Sequence, residues 1–255
     1  MLRITMGGVQ ILGRPLDLSP RVEGLFVGPD GFEGWDDGTE ARRETIERVA
    51  DHGDFDVPTF QGSRVFSIDG HAFAWSEREL AHLRHRVIGV GADGGRLKVT
   101  VEHQGQELWV WARRGGKPIF KDAGIRSGML RGTFLVQMVA ADPRKYGEVR
   151  DFPAGSAAIH YGNFPATPRL MVGAGSGGYT VTGPGGRVIT VNSNAPAEAH
   201  SIDFVTGGLF NGAGGRVPNA ITVYQPWSIP VGLPGVTATI TGSRSLAQRV
   251  TETYI

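Results

Sequence analysis

Glycine is the strongest constraint on what this chain can fold into. Of 255 residues, 39 are glycine, about twice the usual share of ~7%. They fall singly and in pairs between short β-like runs, with no fixed period. That distribution describes many turns, and it excludes a collagen repeat and a flexible linker. The pattern is clearest over residues 169–242. Runs at Arg169–Val172, Tyr179–Thr182, Arg187–Val191, His200–Phe204, Ala220–Tyr224 and Thr237–Thr241 are separated by Gly-Pro-Gly-Gly at 183–186, Asn211-Gly212 and Gly214-Gly215. Short strands with strong turn signals and no helix between them predict a β-sandwich of jelly-roll type. Hydrophobic residues at 40% and charged residues at 20% predict a packed core in a mainly β chain.

Charge divides the chain in two. Residues 1–151 hold 21 of the 26 Lys and Arg and 22 of the 25 Asp and Glu. Proline runs the other way, with 6 of 15 before that point and 9 after it. The shift predicts a domain at 1–151 and a second at 152–255, with the boundary in Tyr146–Gly162, where Gly, Pro, Ala and Ser accumulate. A net charge of +1 gives no electrostatic argument for nucleic acid or an acidic membrane surface. There is no cysteine, so neither a disulfide framework nor a cysteine-based zinc site can form, which fits folding in a reducing cytoplasm. No signal-peptide core or membrane-length apolar run is present, so a soluble chain not exported by that route is expected.

In the first domain, Ile4–Leu12 reads as a strand pair around Gly7-Gly8. Gly24–Gly38 reads as an acidic exposed loop anchored by Trp35. Ala41–Val49 reads as an exposed charged strand turned by His52-Gly53, because a helix there would have only Ile46 and Val49 to bury. Arg64–Asp69 alternates and should end at Gly70. Ser76–His85 is the best helix: Ser76 and Glu79 have capping-box spacing, and Leu80, Leu83 and Val87 share a face. Leu97–Val101 and Leu108–Trp111 form a hairpin across Gln104-Gly105. In Phe134–Gly147, Phe134, Val136, Met138 and Ala140 line one face, while Leu135, Val139 and Ala141 line the other. This predicts a strand covered on both sides that stops at Asp142-Pro143. The tail 243–255 places Leu246, Val250 and Tyr254 four apart, which fits either an amphipathic helix or an extended arm.

The reactive candidates are weak on chemistry. Asp30, Glu33, Asp36 and Asp37 offer oxygens to calcium, but their spacing matches no EF-hand. His82 and His85 lie three apart beside Arg84 and Arg86, which would repel a cation. Trp109 and Trp111 share a face and read as core or interface residues ahead of a stacking platform. Gly173–Gly178 matches G-x-G-x-x-G, and Ser176 sits in a context near a nucleophile elbow. Both motifs need a helix to follow, and Tyr179-Thr180-Val181-Thr182 is strand-like, so a flexible inter-strand loop is expected. The second domain has only Glu198, Asp203 and Glu252 as carboxylates, which provides no glycosidase pair. The expectation is a chain with no catalytic, cofactor-binding or metal-binding residues.

FLVQMVAADPRKYG at 134–147 resembles the end of the N-terminal domain in the distal tail proteins of long, non-contractile-tailed phages. There, A-x-DP-x-x-Y-G closes the domain before a β-sandwich begins. Glu44–Gly70 resembles the same family's charged strand, His-Gly turn and G-x-R strand. Further on come Pro165 and Pro168, Ile202-Asp203-Phe204-Val205-Thr206-Gly207, Asn211-Gly212, Trp227 and Leu233-Pro234-Gly235, in the family's order. After that Pro-Gly the family's asparagine is replaced by Thr237 or Ala238. The resemblance implies a non-enzymatic virion protein at the phage tail tip, made and assembled in the host cytoplasm. Its N-terminal domain would form a six-fold ring continuing the tail tube, followed by a galectin-like sandwich. Implied partners are further copies, the tail tube protein, the tail-tip hub or tail-associated protein, other minor tail proteins and the tape measure protein. No nucleic-acid specificity or membrane insertion is implied. The alternative is a carbohydrate-binding module for host-surface glycans, stacking sugars on Tyr179, Tyr224 or Trp227.

Overall fold

The computed structural model describes residues 1–13, 22–126 and 128–255. The fold is mainly β, with one α-helix among the described residues. It divides into two compact units, Met1–Lys145 with Ile255, and Tyr146–Tyr254.

Unit 1 contains β1 (Arg3–Met6), β2 (Val9–Leu12), β3 (Gly24–Glu33), β4 (Ala41–Arg42), β5 (Phe60–Gln61), β6 (Arg64–Ala74), α1 (Glu77–Gly89), β7 (Leu97–His103), β8 (Gln106–Arg114), β9 (Ile119–Arg126) and β10 (Met129–Ala140). The strands run in the order β8-β7-β1-β2-β3-β6-β10-β9, and β10 also pairs with β8. That second pairing closes the sheet into a barrel, with β9 outside the closure. Small barrels fill their interior with side chains from alternate positions. Here Ile4, Met6, Ile11, Phe66, Ile68, Val99, Val110, Phe134, Val136 and Met138 are buried in one cluster. The β7–β8 hairpin turns on Gln104 (φ 50°) and Gly105 (φ 82°), the two left-handed positions of a turn whose twist matches its strands. The Ser76 hydroxyl accepts from Glu79 N–H at 3.2 Å and starts α1. The helix then runs past His85 to Gly89, with Leu80 and Val87 buried.

Several local expectations change. Gly70 does not end its strand, because β6 continues to Ala74. A Cβ at Gly70 would lie 2.2 Å from the Phe26 carbonyl oxygen and 2.7 Å from Phe134 Cζ. The glycine gives the cross-strand Phe134 ring its seat. The first ten residues of Gly24–Gly38 form β3 rather than a loop, with a register shift between Val27 and Phe32. Trp35 is buried as expected. β10 is fully covered on one face only: Leu135 and Val139 are half-buried and Gln137 is exposed, because the second face of a barrel strand points outward. Of Ala41–Val49, only Ala41–Arg42 forms a strand, and Glu47 makes a single bridge to Asp54.

Unit 2 contains β11 (Lys145–Pro153), β12 (Ala157–Ala158), β13 (Arg169–Val172), β14 (Tyr179–Thr182), β15 (Val188–Val191), β16 (His200–Asp203), β17 (Gly208–Phe210), β18 (Ile221–Tyr224), β19 (Val236–Thr237), β20 (Thr239–Ile240) and β21 (Leu246–Tyr254). One sheet runs β17-β16-β13-β21-β11, another β18-β15-β14-β20, and β12 pairs with β19. Leu170, Ile202, Leu209, Leu246 and Val250 from the first sheet share a buried cluster with Val181, Ile189 and Val191 from the second. Two sheets that bury their inner faces in one core make a sandwich. Of the two readings of the tail, the extended one holds, and the segment is paired. As β21 it pairs with β13, burying Leu246, Gln248 and Val250 in strict alternation.

Candidate interaction surfaces

Between β3 and β6 the chain leaves the barrel wall. β4 and β5 pair through Ala41↔Gln61 and Arg42↔Phe60. Farther out, Phe55 N–H donates to the Ile46 carbonyl at 2.9 Å and Arg48 N–H to that of Gly53 at 3.3 Å, so His52-Gly53 turns the ribbon as expected. Apart from half-buried Val57, residues 40–61 are exposed. The arm is not simply polar. Ile46 is 52%, Phe55 53%, Phe60 58% and Val49 104% exposed. Arg42 covers one side of Phe60 at 6.0 Å and Arg48 one side of Phe55 at 5.6 Å, which is modest shelter for aromatics in water.

The root of this arm is rigid. The Trp35 indole stacks on Phe32 at 5.8 Å and meets Phe66 edge-on at 5.4 Å. Arg64, 1% exposed, donates from Nη1 to the carbonyls of Gly34, Trp35 and Asp37 at 3.1, 2.8 and 2.8 Å, and from Nε to Pro143 at 2.9 Å. Lys145 Nζ donates to the Trp35 carbonyl at 2.9 Å and to Asp36 at 3.4 Å. Two cations, Arg64 at the start of β6 and Lys145 just beyond the turn after β10, therefore hold residues 34–37 in place. Burial, and then the neighbouring Arg64, hold the Lys145 ammonium below its ordinary pKa, with Asp36 pulling the other way.

The sequence candidates for chemistry disperse. Among the described residues no three His, Asp or Glu converge as metal ligands. Asp36 pairs with Lys145, and Asp37 accepts from Gly34 N–H at 3.0 Å. His82 and His85 are exposed on α1. Trp109 and Trp111 meet edge-on at 6.3 Å, beneath Lys98 and Arg96 respectively. Neither belongs to the core, because their parity on β8 is opposite to that of Val110 and Ala112.

In unit 2, Gly173–Gly178 is pinned rather than flexible. Buried Arg244 donates to the carbonyls of Gly173, Gly177 and Pro196 at 3.2, 3.5 and 3.1 Å. Tyr179 and Trp227 are only 4% exposed. Tyr179 hydroxyl meets His200 Nε2 at 2.6 Å, and Trp227 Nε1 donates to Gln248 Oε1 at 3.2 Å. Neither ring face is open to a sugar, and of the three aromatics only Tyr224 is exposed. Two of the three carboxylates are engaged. Asp203 pairs with Arg169 and accepts from Val205 and Thr206 N–H at 2.8 and 3.4 Å. Glu252 pairs with Arg150 at 3.2 Å and accepts from Tyr254 hydroxyl. Burial, together with that bond, pushes the Tyr254 pKa up to about 12.

No protein-family model matches the chain, and no curated protein matches it in sequence. Solved structures do. The SPP1 Dit protein, described as a paradigm of the hub adsorption apparatus in phages infecting Gram-positive bacteria, superposes with a TM-score of 0.70 over 100% of both chains. This is the fold of a phage hub protein. Identity to that hub protein is 12%, so the likeness shows the fold alone. The phage P2 baseplate in its activated conformation matches with calcium at TM-score 0.52 and 6% identity, and with strontium at 0.51 and 7%, each over 98% of both chains. Among the described residues no helix is long and apolar enough to cross a membrane.

Proposed function

We propose that the chain is a structural hub of a phage tail tip. Unit 1 assembles into a six-fold ring that joins the tail tube to the tip, and unit 2 offers attachment to other tail-tip proteins. The observation that carries this reading is the hub fold, matched from end to end of both chains. The arm supports self-association. A two-stranded ribbon is marginal alone in water, and this one exposes Ile46, Val49, Phe55 and Phe60. Seating it on the next copy would bury those side chains, and a head-to-tail contact whose rotation closes makes a ring. A permanent ring contact requires roughly 2,000 Å² or more. Further proposed partners are the tail tube protein, the tail-tip hub or tail-associated protein, other minor tail proteins and the tape measure protein. The place is the virion tail tip, after assembly in the host cytoplasm, and the role is non-enzymatic. Negative-stain microscopy of purified protein tests the reading: closed rings are expected. A protein that stays monomeric at every concentration, with and without tail-tube protein, would overturn it.

A further inference from the structure

The outer face of β1, β7 and β8 concentrates aromatic surface and positive charge. Register sets its rows. Lys98 lies opposite Trp111, and Thr5, Thr100 and Trp109 cross the three strands in line. Val99, Val101 and Val110, of the other parity, are buried in the barrel. Trp111 is 44% exposed. Arg96 Cζ lies 5.6 Å from the Trp111 ring centroid, and Lys98 Nζ lies 4.8 Å from that of Trp109. Arg113, next on the same face of β8, donates to the Gly94 carbonyl. Arg96, Lys98 and Arg113 are all exposed. The carboxylates of these strands, Glu102 and Glu107, sit at the hairpin end, where Arg3 pairs with Glu102 at 3.0 Å. The other end is therefore a pair of indoles with a cationic rim.

We infer, on the proposed ring assembly, that this face receives the acidic arm of the next copy. Between residues 44 and 56 the arm carries five carboxylates, Glu44, Glu47, Asp51, Asp54 and Asp56, against one arginine. That arginine, Arg48, is itself paired with Asp51 at 3.5 Å. The apolar side chains Ile46, Val49 and Phe55 stand exposed among these charges. Arm and face are thus opposite in sign, and complementary potentials select the partner and fix its register. Tryptophan and arginine are also the residues enriched at interface anchors. Within one chain the arm and Trp111 both stand exposed, so neither covers the other, and the occupant comes from another copy. Single-stranded nucleic acid is disfavoured. Bases stack on open, successive ring faces, whereas Trp109 and Trp111 cross at 80° and each already lies under a cation.

Sedimentation of the full chain over a dilution series tests the contact. The wild type should assemble. Trp111→Ser should weaken association roughly thirtyfold, the loss of one interface tryptophan. Arg96→Glu with Lys98→Glu should weaken it at least as much, and adding Glu44→Lys and Glu47→Lys to that variant should restore assembly. All these positions are exposed, so the variants keep the fold, which a thermal melt checks. Fluorescence anisotropy with labelled oligo(dT) reads the competing occupant, and no binding is expected. Face variants that assemble as the wild type does refute this face and leave the ring reading standing. Charge reversal that the arm substitutions do not rescue overturns the pairing of arm with face. A wild type that is monomeric at every concentration, with and without tail-tube protein, refutes the ring and the face together. Oligo(dT) binding that Trp111→Ser abolishes while assembly persists would assign the face to nucleic acid instead.

Discussion

Replacing Arg64 by methionine should loosen the root of the arm before anything else. The guanidinium is 1% exposed and satisfies four backbone carbonyls. Methionine keeps much of the volume and none of the donors. The Trp35 carbonyl retains Lys145 as a donor, which leaves Gly34, Asp37 and Pro143 without this partner. A buried acceptor stripped of its partner costs ~1–3 kcal/mol. These carbonyls are partly buried, so the low end applies, and the sum is about 3 kcal/mol. For a unit of this size that is a fall in Tm of roughly 6–12 °C. Thermal melting by circular dichroism reads the fall, and hydrogen exchange should show lost protection at residues 34–38 first. Arg64→Lys should fall between, since an ammonium reaches fewer carbonyls than a planar fork. An Arg64→Met protein melting within about 1 °C of wild type, with the same exchange at 34–38, would refute the view that this cation anchors the arm.

Gly70→Ala should destabilise by about 3 kcal/mol in urea, because the methyl group meets the Phe26 carbonyl at 2.2 Å and the Phe134 ring at 2.7 Å; an unchanged midpoint would contradict that packing. Unit 2 should lose stability on acidification. Burial holds the His200 imidazole below its ordinary 6.5; the Glu198 carbonyl opposes this and Arg244 reinforces it. Between the folded value and 6.5 the unfolded chain binds more protons, so stability rises with pH through that window and is lost as pH falls. Asp203 adds to the loss below 3.8: burial alone would raise its pKa, but Arg169 and two N–H groups outweigh it. Tm measured from pH 7.5 to 5 should fall, and His200→Gln should flatten the slope; an equal slope in the variant would count against His200 as its source.

Much of the fold was legible because it is set locally. Glycine turns and period-two alternation place β13 and β14 residue for residue, and a serine with a glutamate three residues on marks the start of α1. What stayed hidden depends on distant chain. Barrel closure needs β8 to meet β10, and no local pattern announces it. Arg64 and Lys145 look like surface charge, yet both are buried because backbone carbonyls some thirty and more than a hundred residues away accept from them. Gly173–Gly178 looks mobile until Arg244, some seventy residues later, fills it. In the tail, a spacing of four between Leu246, Val250 and Tyr254 satisfies a helix and a strand alike, and only Gln248, buried on the same side, distinguishes them. The aromatics Tyr179 and Trp227 illustrate the opposite error. Near turns they resemble ligand platforms, but a sandwich this poor in charge needs its large rings inside.

The proposed ring depends on the arm of each copy seating on the next. Native mass spectrometry of the wild type beside the triple variant Val49→Asp, Phe55→Asp, Phe60→Asp measures it directly. These side chains are exposed, so the variant should fold and melt nearly as the wild type does. A closed oligomer of six chains is expected for the wild type and monomer for the variant. A wild type that is monomeric throughout, or a variant that assembles as well as the wild type, would contradict it.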